Sequence, residues 1–285
     1  MVAVSHECDY PPEASKRRIL TKSAIHRKIH GSLEVDREVE TRGGDIYEID
    51  AKLLDELKPD LILTQELCSV CAVSYTKVKE AARVLGSDTK IVSLEPNNLE
   101  EIVDNIRLVG RMTGAVSRAE ELASQLSSRI ERVKERARNV ERIPRVFLME
   151  WLRPIWAGGQ WIPQMVDYAG GIEGLGTLGK PSRRIGWDQV LQYQPEIIVL
   201  SPCGFDLDGV LKEVQVLASY SGWERIPAFQ SSNIYGVNAS AFFSRPGPRV
   251  VDGLELLANI IHPGLFPEFF RPQDARRVDL AFLKA

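Results

Sequence analysis

"IYEIDAKLLDELKPDLILTQELC", residues 46–68, holds a short helical pattern, a break and a strand. Asp50 opens the helical part, and Leu53, Leu54 and Leu57 share one face of it. Pro59 cannot continue a helix and restarts the chain as an extended segment. The apolar run Leu61–Leu63 then reads as a strand covered on both faces, as in a parallel sheet flanked by helices. Cys68 follows just past its end. "IGWDQVLQYQPEIIVLSPC", residues 185–203, repeats the plan. Asp188 opens a short helix, Val190 and Leu191 face inward, Pro195-Glu196 break it, Ile197–Leu200 form a strand, and Cys203 follows. One such unit in each half of the chain predicts two α/β lobes with mainly parallel sheets.

Further strands are expected at Val2–Val4, Ile91–Leu94, Val146–Met149 and Ile234–Val237. Asn97 or Asn98 caps the helix beginning LEEIVDNIRLVG, with Glu100 and Glu101 in its first turn. Ser117 opens a long second helix whose apolar positions Leu122, Leu126, Ile130 and Val133 make a narrow stripe on a solvated surface. It is either a surface helix of one lobe or a rigid strut between two, and Pro144 stops it. The predicted division is an N-terminal lobe over 1–115, a linking helix over 116–143, a C-terminal lobe over 144–263 and a tail over 264–285. The tail either docks as a short helix through Leu280, Phe282 and Leu283 or frays.

Composition excludes several classes. The net charge of −3 leaves no basic footprint for nucleic acid. No apolar run approaches the roughly 18 residues that span a membrane. The first residues lack the pattern of a signal peptide, so the chain as it stands is expected in the cytoplasm, with an extracytoplasmic location as the alternative if the true start lies upstream. Four cysteines in 285 residues are too few for a disulfide framework. No phosphate loop, nucleophile elbow or metalloprotease helix is present, so neither an enzyme nor a catalytic cofactor is expected. His26 and His30, four residues apart in a basic stretch, read as a solvated segment. His262 closes the LELLANIIH helix, where it suits the helix dipole.

In open α/β sheets, ligands bind outside the carboxyl ends of the strands. The segments after each strand therefore form a list of candidate binding residues. They give His6, Cys8, Asp9 and Tyr10; Glu66, Cys68 and Cys71; Glu150, Trp151 and Trp156; Cys203, Phe205 and Asp206; and Phe242, Phe243, Ser244 and Arg245. All four cysteines fall in these segments. Cys is a common buried hydrophobe, but four at strand ends argue for more than packing.

Four motifs in order, Ser5–Pro11 (SHECDYP), Leu67–Ser74 (LCSVCAVS), Pro202–Asp206 (PCGFD) and Ser244–Arg249 (SRPGPR), together with VDYAGGIEGLG at 166–176, resemble the cobalamin-binding substrate-binding proteins of ABC importers, within the iron-siderophore and cobalamin binding-protein superfamily. The resemblance runs from Val4 to about Pro263. It implies two α/β lobes joined by a single long helix, a corrinoid held in the cleft between them, an ABC transporter permease as partner, and little closure. It also implies a further strand and helix before SHECDYP, so the first lobe reads as shortened, with an edge that would favour pairing. Large flat ligands need apolar walls and a few orienting polar groups. Trp151, Trp156, Phe242 and Phe243 are candidate walls, and Arg245 and Asp206 candidate partners of peripheral amides. His6, Cys8, Cys68, Cys71 and Cys203 are candidate axial ligands of the cobalt. The competing reading is a thiolate metal, iron–sulfur or redox site built from Cys8, Cys68, Cys71 and Cys203.

Overall fold

The computed structural model describes residues 1–25, 31–43, 46–65, 75–82 and 89–281. His26, His30, Glu66, Cys68, Cys71, Phe282 and Leu283 lie outside them. The chain divides into two compact units, Met1–His30 with Glu34–Glu95, and Gly31–Leu33 with Pro96–Ala285.

The first unit contains β1 (Ala3–Val4), β2 (Arg18–Ile19), β3 (Thr21–Ser23), most of α1 (Ser32–Thr41), β4 (Tyr47–Ile49), α2 (Ala51–Leu57), β5 (Leu61–Thr64), α3 (Tyr75–Ala81) and β6 (Lys90–Ser93). β1 pairs with β2 and β5 with β6 in parallel, while β3 and β4 are antiparallel. The Asp50 carboxylate caps α2 by accepting the Leu53 N–H at 2.9 Å. Lys58, left-handed at φ 41°, closes α2 directly before Pro59.

The second unit opens with α4 (Leu99–Met112) and α5 (Val116–Ala137). The chain then runs through β7 (Arg145–Trp151), β8 (Trp156–Ala157), α6 (Ile162–Tyr168), β9 (Ile172–Glu173), β10 (Arg183–Arg184), α7 (Trp187–Tyr193) and β11 (Ile197–Leu200). It finishes with α8 (Leu207–Glu213), α9 (Pro227–Gln230), β12 (Ile234–Val237), α10 (Ala239–Phe242), α11 (Val250–Ile261) and β13 (Ala275–Arg277). Its sheet has the order β10-β8-β7-β11-β12-β13, with β9 also paired to β7. β7, β11 and β12 are parallel neighbours, so their carboxyl ends share one edge. The four residues of β11 are all buried, as an uninterrupted apolar strand requires.

The repeat read from the sequence is present as geometry. α7 ends at Gln194, left-handed at φ 54°, directly before Pro195, as α2 ends at Lys58. A left-handed residue closes each helix and the proline starts the next strand. Gly186, not Asp188, caps α7, with the Gln189 side chain accepting the Gly186 N–H at 3.0 Å.

The expected bounds and buried face of α5 change. α5 begins at Val116, without a side-chain cap, so Ser117 lies inside its first turn. It ends at Ala137, seven residues ahead of Pro144. Its buried face is Ala119, Ala123, Leu126, Ile130, Val133 and Ala137, so small residues do the packing and Leu122 is only half-buried. At Gly110 of α4 a Cβ would collide with the Ala119 side chain, which shows how closely the two helices approach. The tail contributes a strand, Ala275–Arg277, ahead of the Leu280, Phe282 and Leu283 segment, of which 282 and 283 lie outside the described residues. Tyr235, Gly236 and Val237 of β12 pair antiparallel with Arg277, Arg276 and Ala275, and Val278 and Leu280 enter the core.

α11 is buried along all but one of its residues, Asp252, as a central helix must be. Its two buried polar groups are satisfied. Asn259 donates to the Phe266 carbonyl at 2.8 Å. Glu255, 4% exposed, accepts a forked pair from Arg129 of α5 at 2.9 and 2.7 Å, and Asp252 accepts from the same guanidinium at 2.5 Å. Arg271 joins at 3.3 Å from Glu255, binding the tail to the same acid. Elsewhere in this unit Trp187 stacks on Tyr220 with ring centroids 5.1 Å apart and lies 4.4 Å from Trp223.

Candidate functional site

The carboxyl edge of β7, β11 and β12 is built by backbone hydrogen bonds between the turns that leave those strands. Ser201 N–H donates to the Met149 carbonyl at 2.9 Å and Cys203 N–H to the Glu150 carbonyl at 3.1 Å. Ser240 N–H donates to the Phe205 carbonyl at 2.9 Å, and Gly204 N–H to Ser244 Oγ at 3.4 Å. Glu150, Trp151, Cys203, Phe205, Ser244 and Arg245 are thereby gathered at one edge, with Trp156 opposite Trp151 on β8.

Their roles differ. Trp151 and Trp156 are half-buried, and the Trp151 indole meets Phe205 edge-on at 5.7 Å. The Trp151 N–H donates to the carbonyl of Ser32, which groups with this unit, at 3.1 Å. Phe205, Phe242 and Phe243 are buried, 7%, 8% and 2% exposed, so most of each ring is already covered by the protein. Trp161, also buried, donates its indole N–H to the Phe243 carbonyl at 3.0 Å. Asp206 is exposed and caps α8 by accepting the Gly209 N–H at 2.8 Å. Arg245 is half-buried and donates to Ser240 Oγ at 2.8 Å.

Glu150 is the electrostatic centre of this edge. Burial, and then the nearby Cys203 thiol, push its carboxyl up to about 7, with Ser182 and the Gly159 N–H acting in the other direction. Ser182 Oγ lies 2.6 Å from Glu150 Oε2 and accepts the Gly159 N–H at 3.1 Å. Ser182, Gln160 and Glu173 escaped the reading of strand ends because they sit on a flank of the sheet. The signal for Glu173 was GGIEGLG, an acid set among glycines, where close backbone approach brings N–H groups to a carboxylate.

In the first unit the segment after β1 folds as a turn, with Cys8 N–H donating to the Ser5 carbonyl at 3.1 Å. His6 is held by its own unit. Its Nδ1 is 2.7 Å from Thr21 Oγ1, its ring lies 5.5 Å from Tyr47, and its Nε2 is covered, 3.5 Å from Glu7. Cys8, Asp9 and Tyr10 are exposed. Cys8 Sγ is 3.4 Å from Ser5 Oγ. Cys8 and Cys203 are thiols without a disulfide. Among the described residues no group of three or more His, Cys, Asp or Glu side chains is gathered to hold a metal ion. No helix among them is long and apolar enough to cross a membrane.

The family model described as "Periplasmic binding protein" matches residues 1–241. An uncharacterized ABC transporter substrate-binding lipoprotein of Bacillus subtilis is 23% identical over 222 residues, 74% of this chain, and the match spans 65% of that relative's length. A Vitamin B12-binding protein of Vibrio cholerae is 24% identical over 258 residues, 90% of this chain and 79% of the relative. Among solved structures, the periplasmic vitamin B12 binding protein of Vibrio cholerae superposes with a TM-score of 0.64 at 20% identity, covering 91% of this chain and 87% of that one. A periplasmic heme-binding protein from Roseiflexus superposes with a TM-score of 0.66 at 21% identity, covering 93% and 90%. At these identities the structural likeness shows the fold, a two-lobed α/β architecture with a long helix.

Proposed function

This chain belongs to the periplasmic binding protein family, and from that premise we propose that it is the solute-binding component of an ABC importer whose ligand is cobalamin or a related corrinoid. The observation that carries the ligand class is the match to vitamin B12-binding relatives along 90% of the chain. The partner in this reading is a transporter permease. The lipoprotein relative and the periplasmic structural neighbour support a location outside the cytoplasm, and the cytoplasmic expectation from the first residues draws no support from them.

Recognition is assigned to the turns at the strands' carboxyl ends. Trp151 and Trp156 supply apolar wall, while Cys203, Ser244 and Arg245 supply polar or polarisable contacts. His6, Cys8, Asp9 and Tyr10 of the first unit and Glu66, Cys68 and Cys71 are proposed to contact the ligand as well. Cobalt ligation favours Cys8 over His6, because the Cys8 residue is exposed whereas the His6 Nε2 is covered. Phe205, Phe242 and Phe243 support these turns from within.

A second reading is a heme ligand, favoured by the heme-binding structural neighbour. Both are flat metal macrocycles that need apolar walls of the same kind. Titration of the purified protein with cyanocobalamin, aquocobalamin, hemin and a ferric siderophore separates them. Saturable one-to-one binding of a cobalamin, tighter than hemin by tenfold or more, is the expected result; the reverse order overturns the corrinoid reading. Stoichiometric zinc or iron in anaerobically purified protein would instead support a four-cysteine metal site. A shift in the visible spectrum of bound aquocobalamin that disappears in Cys8→Ser identifies that thiol as the axial group.

A further inference from the structure

Gly31–Leu33 groups with the second compact unit, although the sequence on either side of it, Met1–His30 and Glu34–Glu95, belongs to the first. Ser32, the first residue of α1, is 0% exposed, and each of its polar groups has a partner in the second unit. Its N–H and its hydroxyl both donate to Glu213 Oε1, at 3.0 and 2.6 Å. Its carbonyl accepts the Trp151 indole N–H at 3.1 Å. Ser32 thus links a carboxylate on α8 to an indole at the end of β7. A carboxylate also suits the positive end of a helix that starts on this residue.

Trp151 is held from both ends of α8. Asp206 starts that helix, Val210 and Val214 bind it to the core, and Glu213 is its last residue. Phe205, directly ahead of Asp206, meets the Trp151 ring edge-on at 5.7 Å with the two planes 79° apart. Glu213 reaches the same ring through Ser32 and the indole N–H. A tryptophan side chain turns about two bonds, and one ring contact alone leaves it free to rotate. Turning this ring over would take its N–H away from the Ser32 carbonyl and forfeit a hydrogen bond at a covered residue. The two contacts together define one plane.

We infer that Ser32 and Glu213 are positioning residues of the candidate ligand site, which set the plane of the Trp151 indole and through it the fit of the wall to a flat ligand. The inference rests on the proposed macrocycle-binding role, since the plane of a wall matters only to a ligand that lies on it. Ser32, wholly covered, acts through Trp151 and not by touching the ligand. Flat rings meet an aromatic wall in offset or edge-on arrangements, so their attraction depends on the angle between the planes. A ring already held at its working angle also loses less freedom when a ligand settles on it. Both effects are lost if Glu213 lets Ser32 go.

The test is proton–nitrogen correlation of the indole N–H groups in ligand-free protein labelled at tryptophan, with the Trp151 signal assigned by its loss in Trp151→Phe. In the native sequence that proton should exchange with water about tenfold or more slowly than in free indole. In Glu213→Ala the Trp151 signal should move and its exchange quicken about three- to tenfold, the range of one ordinary hydrogen bond. The Trp161 signal, whose acceptor is the Phe243 carbonyl, should stay in place and report an intact fold. Glu213→Gln keeps an oxygen for both Ser32 donors and should restore the native signal. Affinity for cyanocobalamin should fall in Glu213→Ala by a factor similar to the gain in exchange, and recover in Glu213→Gln. A native Trp151 proton that exchanges as freely as free indole overturns the positioning role, whether or not any variant folds. So does a folded Glu213→Ala whose Trp151 signal is unmoved, or whose signal moves with no loss of cyanocobalamin affinity. If the native protein binds no corrinoid, the ligand reading falls, while the indole signals still decide whether Ser32 and Glu213 hold the ring.

Discussion

Asp206 shows how a residue's letter and its place can point to different work. It stands in a motif that reads as ligand-facing, yet its carboxylate accepts the Gly209 N–H and starts α8. Asp206→Ala should lower stability by about 1 kcal/mol, the usual cost of a lost N-cap, in a urea titration. Its corrinoid affinity should stay within about twofold, whereas Trp151→Ala, which strips exposed wall, should weaken binding by tenfold or more. The same distinction limits what the sequence could give for the other aromatics. Position after a strand marks a residue as near the edge, but whether its ring points out or in depends on neighbours brought from elsewhere. Trp151 is half-buried, while Phe243 is covered by its surroundings and differs in nothing legible from the letters alone.

At the scale of elements, legibility followed how local the cause was. β5, β11 and β12 were readable because a proline or polar break bounds a continuous apolar run, and α2 because Asp50 caps it. The start of α5 was not, because Val116 begins the helix with no capping side chain, held instead by packing against α4. Nor was β13 readable, since ARR has no apolar pattern of its own and becomes a strand only by pairing with β12. The Arg129 fork shows the same non-locality, joining α5 to an acid more than a hundred residues away. Arg129→Met would leave Glu255, 4% exposed, with Arg271 alone. The cost should be about 3 kcal/mol, typical of breaking a buried pair from one side, seen as a lower urea midpoint. Arg129→Met combined with Glu255→Leu should recover much of that loss, because no buried charge is then left unpaired.

The pH dependence of the whole molecule follows from two opposed sets of acids. Glu150 and Glu173 are raised by burial to about 7, so folding favours their protonated forms. Their contribution is complete below the ordinary carboxylate range and is lost as pH rises through about 7. Glu268 is lowered chiefly by the Arg136 guanidinium. Burial pushes Glu196 up, but the Arg145 N–H and Arg142 outweigh it and leave it lowered. Both contribute above the ordinary range and lose that contribution as pH falls through their lowered values. Stability should therefore peak on the acid side of neutrality and decline toward pH 8, as read from urea midpoints across pH. Glu173→Gln should shallow that decline without touching the acid limb.

The five tryptophans, positions 151, 156, 161, 187 and 223, all belong to the second compact unit, and four of them, 151, 161, 187 and 223, make ring contacts or indole hydrogen bonds within it. Indole emission is therefore a spectroscopic window onto one unit alone, blind to whatever the other does. Far-ultraviolet dichroism sees both. If the two denaturation curves separate, the gap between them measures the first unit's own stability without any label, truncation or engineered probe.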